Sequence, residues 1–99
     1  MVGREQEQRV LEMLEAAKER GEFVEVVLNE PHSEADSEGK DFTVTKMIDG
    51  EPQTRSFGIT ISQRSLSESR VRHSDIPQFL FPIETKPETV LRRVNDLFK

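Results

Sequence analysis

The chain of 99 residues has no cysteine and no long apolar run. Without cysteine it can form neither disulfide bonds nor thiolate metal sites, and nothing points to an oxidising compartment. No stretch approaches the roughly 18 apolar residues that would span a bilayer. The start of the chain also lacks the apolar core of a secretion signal. We therefore expect a cytoplasmic protein without a membrane partner.

The residue patterns of several enzyme classes are absent as well. The five glycines are scattered, and none lies in the spacing that cradles a phosphate group. His32 and His73 are the only histidines, and neither lies near a recognisable nucleophile turn, which argues against a catalytic triad. Two histidines without cysteine also argue against a zinc site. The sequence therefore predicts no bound metal ion or cofactor.

Charge is distributed unevenly along the chain. The net charge is −5, with 6 basic and 14 acidic side chains in residues 1–53 and 8 basic and 5 acidic side chains in residues 54–99. Affinity for nucleic acid comes largely from neutralising phosphates, so an acidic chain is a poor general binder of it. The second half carries a net charge of +3 and can still present a basic face.

Hydrophobic periodicity predicts one α+β domain over residues 1–99. Apolar residues at helical spacing predict helices over 4–20 and 87–98, whereas alternation and short β-branched runs predict strands over 23–28, 42–48, 55–62 and 78–81. The sheet should be mainly antiparallel, with the fourth strand at an edge because Pro82 follows it. The segment 65–73 is open between a short helix and a loop.

Polar segments separate the predicted strands. Residues 29–41 are acidic and polar, and we expect a flexible loop there. Residues 49–53 have turn chemistry, which makes the strands on either side a hairpin. The first strand should have both faces covered. One core should join the third strand to both long helices through Phe57, Ile59, Ile61, Val10, Leu14, Val94 and Leu97.

Residues with terminating or capping chemistry flank the predicted helices. Gly21 directly follows the first helix and should end it. Thr85 and Glu88 have the spacing of a capping box for the last helix. Ser65 and Glu68 have the same spacing at the start of the short central helix.

The predicted hairpin resembles a known family. Asp41-Phe42-Thr43-Val44, the turn Asp49-Gly50-Glu51, and Phe57-Gly58-Ile59-Thr60-Ile61-Ser62 are similar to the central hairpin of small domains in the PD-(D/E)XK nuclease superfamily. The order of helix, three strands, helix and strand also matches the core of that superfamily. The resemblance implies a single restriction-endonuclease-like domain over residues 1–99.

The resemblance also implies which residues occupy the catalytic positions. In the superfamily an Asp opens the second strand, and the third strand carries Glu or Gln, any residue, then Lys. The acidic positions hold Mg²⁺, and the Lys stabilises developing charge. Asp41 matches the first position, whereas Thr60 stands where Glu or Gln belongs and Ser62 where Lys belongs. This implies a catalytically inactive protein that acts by binding, in a regulatory or accessory role.

Other interpretations stay open at this point. Nucleic acid would be bound through the basic second half, by Arg64, Arg70 and Arg72. An active Mg²⁺-dependent nuclease would need Arg64 as a displaced cation and Glu25 or Glu51 as a displaced carboxylate. A third interpretation drops the fourth strand, which leaves the order of a double-stranded RNA-binding domain. Such a chain would serve as a small module that binds another protein.

Overall fold

The computed structural model describes residues 2–29, 40–72 and 75–99. Its helices are α1 (Val2–Glu19), α2 (Gln63–Arg72) and α3 (Pro87–Asp96), and its strands are β1 (Glu25–Leu28), β2 (Phe42–Ile48), β3 (Glu51–Thr60) and β4 (Gln78–Leu80). The predicted α+β class and element order are confirmed, and the open segment forms a helix. The predicted flexible loop lies, for residues 30–39, outside the described residues.

The four strands form one mixed sheet in the order β1-β2-β3-β4. β1, β2 and β3 are antiparallel neighbours, and β4 lies parallel to β3 at the edge, as predicted. Parallel neighbours need a crossover connection, and α2 supplies it. The order of a double-stranded RNA-binding domain is therefore wrong for this chain, because that order has neither α2 nor β4.

The hairpin between β2 and β3 turns through two residues rather than the predicted five. Asp49 and Gly50 have φ angles of 53° and 84°, as a type I′ turn requires. This turn matches the twist of the strands, so pairing resumes at once with Ile48 opposite Glu51. Pro52, which has no N–H, is tolerated within β3. It lies opposite Met47 in a non-hydrogen-bonded pair, where no N–H is needed for the ladder with β2.

The core is built around a row of phenylalanine rings on one face of the sheet. Phe42, Phe57, Phe79 and Phe81 follow one another with ring centroids 5.4 Å apart. The predicted core is confirmed except at one residue: helix residues Val10, Leu14, Val90 and Val94 are buried with this row, and Leu97 packs against it. Ile61 is the exception, because β3 ends at Thr60 and the chain turns into α2.

The two faces of the sheet are covered by different helices. α1 and α3 bury their apolar stripes against the phenylalanine face. α2 packs on β3 and β4, and its buried Leu66 lies outside that core, which places α2 on the opposite face. β1 has only one covered face, contrary to prediction: Val26 and Leu28 pack against the core, whereas Glu25 and Val27 on the other face are exposed, Val27 to 37%. The reason is that α2 does not extend to this edge of the sheet.

The ends of the helices confirm one predicted signal and correct two. Gly21 has a φ of 89°, and the hydrogen bonds from Gly21 N to Lys18 O and from Glu22 N to Ala17 O form a Schellman motif. α3 has no capping box, because its N-cap is Lys86 and Pro87 fills the first helical position.

The capping box predicted at the start of the central helix is not formed either. α2 begins at Gln63, so Ser65 lies inside the helix and does not cap it. Among the described residues, no helix is both long enough and apolar enough to cross a membrane.

Truncating Phe57 to Ala should lower the free energy of unfolding by about 3–5 kcal/mol. Its ring is fully buried and contacts the rings of both Phe42 and Phe79. Urea titration followed by circular dichroism measures the change. Met47→Ala is the control, since Met47 is 49% exposed and its truncation should stay within about 0.5 kcal/mol. Equal effects at the two positions would show that the phenylalanine row is not the centre of the core.

Candidate functional site

Asp41 lies on the bend immediately before β2, and its side chain contacts β3. Its Oδ2 accepts a hydrogen bond from Ile59 N at 2.8 Å. The last residue pair between the two strands is Phe42 with Phe57, so the backbone ladder has ended at this point. Gly58 N already donates to Pro77 on the β4 side, which leaves Ile59 N facing β2. The Asp41 carboxylate therefore extends the ladder by one hydrogen bond.

Thr60 is the last residue of β3, next to the residue that Asp41 contacts. Its carbonyl accepts from Phe81 N at 2.8 Å, which continues the pairing with β4. Its hydroxyl Oγ1 is buried and, among the residues that the structure describes, has no hydrogen-bond partner. A buried unpaired hydroxyl is destabilising by about 1–3 kcal/mol.

Ser62 lies where the sheet gives way to α2. Its carbonyl accepts from Leu66 N at 3.0 Å, which is the first hydrogen bond of the helix, so Ser62 holds the N-cap position. Serine is favoured there because its hydroxyl can accept from an N–H of the first turn. The residue is exposed.

The three motif positions thus lie at one end of the sheet, and each also has a structural role. Asp41 meets β3 one residue before Thr60, and Ser62 follows two residues after it. Within residues 2–29, 40–72 and 75–99, no three side chains of His, Asp, Glu or Cys gather to hold a metal ion. The site therefore offers one carboxylate, already bound to a backbone amide, and two hydroxyl groups.

The carboxylates proposed as displaced ligands lie far from this end of the sheet. Glu51 is nine residues before Thr60 on the same strand, which separates them by about 30 Å. Glu25 pairs with Thr45, which pairs with Thr54, so it lies about 20 Å from Thr60 along the strand direction. Neither of them can replace the missing acid.

The three arginines predicted to bind nucleic acid are divided between two sides of α2. Arg72 lies about 80° around the helix from Arg64, whereas Arg70 lies about 120° from Arg64 in the other direction. Arg64 forms an exposed ion pair of 3.6 Å with Glu68. Glu68 and Arg72 line the same concave surface, so Arg64 and Arg72 lie near each other on one side of α2. Arg70 instead lines a pocket beside β4.

Arg93 is a basic residue that periodicity did not single out. It lies on α3 between the buried Val90 and Val94 in sequence, and it lines the same pocket as Arg70. Its position next to the buried stripe was the available signal, because such a residue lies at the border between the packed and the exposed side of the helix. Which element it would meet there depends on the tertiary fold.

Gln6 is a second residue that the sequence did not single out. It is only 1% exposed, and its Nε2 donates to the carbonyls of Phe81 at 2.7 Å and Pro82 at 2.9 Å. These bonds fix the chain where it leaves β4 for α3. Gln6 lies four residues before Val10 on the apolar stripe of α1, and that spacing was the signal.

No protein-family model, curated protein or solved structure matches this chain. The likeness to the PD-(D/E)XK superfamily accordingly rests on the hairpin residues and on the order of the elements.

Replacing Asp41 by Ala should lower the free energy of unfolding by about 1.5–3 kcal/mol, because Ile59 N would lose a charged acceptor. Asp41→Asn keeps an oxygen acceptor and should lose about half as much. Urea titration with and without millimolar Mg²⁺ measures both variants and the wild type. Stabilisation of the wild type by Mg²⁺, absent in Asp41→Ala, would instead make Asp41 a metal ligand.

Replacing Thr60 by Val should leave the free energy of unfolding unchanged or raise it by up to about 1 kcal/mol, since the variant removes an unpaired buried hydroxyl. Thr54→Val is the matched control, because the Thr54 hydroxyl is hydrogen bonded to that of Thr45 at 3.0 Å. The control should gain nothing. A loss above about 1 kcal/mol in Thr60→Val would mean that this hydroxyl is paired.

Proposed function

We propose that this chain is a non-catalytic protein of nuclease-like fold that acts in the cytoplasm by binding nucleic acid, in a regulatory or accessory role. The observation that carries the proposal is the hydrogen bond from Ile59 N to the Asp41 carboxylate. It gives the only acidic residue at the motif positions a structural role. The order of α1, three antiparallel strands, α2 and β4 supports the nuclease-like part of the proposal.

The motif positions lack the chemistry that phosphodiester cleavage needs. Mg²⁺ prefers near-octahedral oxygen ligands and is usually held by one or two carboxylates together with the substrate. It must be fixed beside the phosphate to activate a water molecule. Hydroxyl groups at Thr60 and Ser62 supply neither a second negative charge nor the cation that would stabilise the developing one.

Binding without cleavage needs only positive charge at the right place. α2 carries three arginines and one glutamate. It begins at Gln63, shortly after β3 ends at Thr60, and thus at the end of the sheet where Asp41, Thr60 and Ser62 lie. Arg64 and Arg72 lie on its outer surface, where a phosphate backbone can reach them. Both side chains of the ion pair between Arg64 and Glu68 are exposed, so the ion pair contributes little free energy. A phosphate group can therefore displace Glu68 from Arg64.

Purified protein with Mg²⁺ or Mn²⁺ should leave plasmid and single-stranded DNA uncut. At low salt it should bind labelled DNA in a fluorescence anisotropy titration, and the affinity should fall steeply as salt increases. Arg64→Gln and Arg72→Gln should each weaken binding and reduce the slope of log K against log salt by about 1. Lys18→Gln, an exposed change on α1 in the acidic half, is the control and should change neither quantity.

Two results would contradict the proposal in different ways. Metal-dependent cleavage that is lost in Asp41→Ala would make the chain an active nuclease with a rearranged site. Absence of DNA binding at low salt would instead indicate a small module that binds another protein.

A further inference from the structure

A pocket lies at the free edge of β4, on the side of the sheet away from Asp41. Its volume is about 440 Å³, within the range of small-molecule sites. It is lined by Arg70 of α2, Arg93 of α3 and residues 75–79. The pocket thus takes residues from β4, from the segment before it, and from α2 and α3, which lie on opposite faces of the sheet.

The two arginines of this pocket keep their donors for a ligand. In the part of the chain that the structure describes, neither guanidinium forms a hydrogen bond or an ion pair. By contrast, Arg20 pairs with Glu22, and Arg55 donates to the carbonyl of Leu97. Two positive charges on one pocket favour an anionic ligand, and the planar donors of guanidinium groups match phosphate oxygens.

The lining of the pocket is mixed, with polar side chains that include Gln78 and with the apolar side chains of Ile76, Pro77 and Phe79. The Phe79 ring packs against the rings of Phe57 and Phe81, each 5.4 Å away. An aromatic surface beside two cations suits a phosphate that is joined to a flat ring, because bases stack on such side chains. A bare inorganic anion would use the arginines alone.

Asp75 adds one negative charge to the same pocket. Beside two arginines it leaves a net charge of +1 and opposes a bare anion. Its carboxylate can, however, accept hydrogen bonds from the amino or hydroxyl groups of a larger ligand. The pocket therefore favours a nucleotide over free phosphate.

We propose that this pocket binds the terminal phosphomonoester of a nucleotide, with Arg70 and Arg93 on the phosphate and the base against Phe79. A terminal phosphate carries about 1.5 to 2 negative charges at neutral pH, whereas an internal phosphodiester carries only one. Two guanidinium groups that line one pocket therefore prefer a strand end or a free nucleotide to the interior of a strand. The choice of a nucleotide rests on the proposed function, but the pocket is separate from the surface of Arg64 and Arg72.

The test compares four probes in titrations of the full chain: inorganic phosphate, AMP, and one single-stranded oligonucleotide with and without a 5′-phosphate. The 5′-phosphate should tighten binding about tenfold, the effect of one or two charged hydrogen bonds. Arg70→Gln or Arg93→Gln should abolish the preference for the 5′-phosphate. Arg92→Gln is the control: Arg92 is adjacent to Arg93 in sequence but does not line the pocket, so the variant should retain the preference. Asp75→Asn should tighten the binding of inorganic phosphate several-fold, since it removes the opposing charge.

The possible results separate this proposal from the proposed function. AMP binding that requires Arg70 and Arg93, without any oligonucleotide binding, supports the pocket and overturns the nucleic-acid function. Equal binding of both oligonucleotides, dependent on Arg64 and Arg72 alone, overturns the pocket and supports that function. A preference for the 5′-phosphate that survives both Arg70→Gln and Arg93→Gln also overturns the pocket.

Discussion

The structure depends on the row of phenylalanine rings that crosses β2, β3 and β4. Phe42, Phe57, Phe79 and Phe81 are four of the six phenylalanines in a chain with few large apolar residues. Because side chains alternate along a strand, this row commits one face of the sheet to the core and to the stripes of α1 and α3. It also joins the short strand β4 to β3, and that parallel pairing requires α2 as the crossover on the other face.

The proposed functional surfaces follow from this arrangement. The row sets Phe42 opposite Phe57, so β2 ends one step too early to satisfy Ile59 N, and the Asp41 carboxylate fills the gap. At the other edge, β4 separates α2 from α3 and gives their arginines a common pocket. Residues that would serve a metal ion in a nuclease thus help to hold the end of the sheet, while positive charge collects along α2 and beside β4.

Much of the fold could be predicted because it depends on local patterns. The hairpin around Asp49-Gly50 (although not the length of its turn), the alternation of β2 and β3, and the glycine after α1 each depend on a few residues. The role of Asp41 could not be predicted, since it depends on the register at which the backbone ladder ends. The presence of Arg70 and Arg93 on one pocket could not be predicted either, because it depends on how two helices distant in sequence are placed around β4. The predicted capping box failed because Pro87 takes the first position of α3 and moves the N-cap to Lys86.

Paramagnetic broadening by Mn²⁺ in the ¹⁵N-resolved NMR spectrum tests directly whether the motif end of the sheet is structural or holds a metal ion. The ion broadens amide signals close to it, so its position can be read from the amides that lose intensity. If Asp41 serves the backbone, the amides of Ile59 and Thr60 should broaden no more than that of Val94 in the core. Selective loss of the Ile59 and Thr60 signals at low Mn²⁺, reversed by excess Mg²⁺ and absent in Asp41→Asn, would contradict a structural role and show a working metal site.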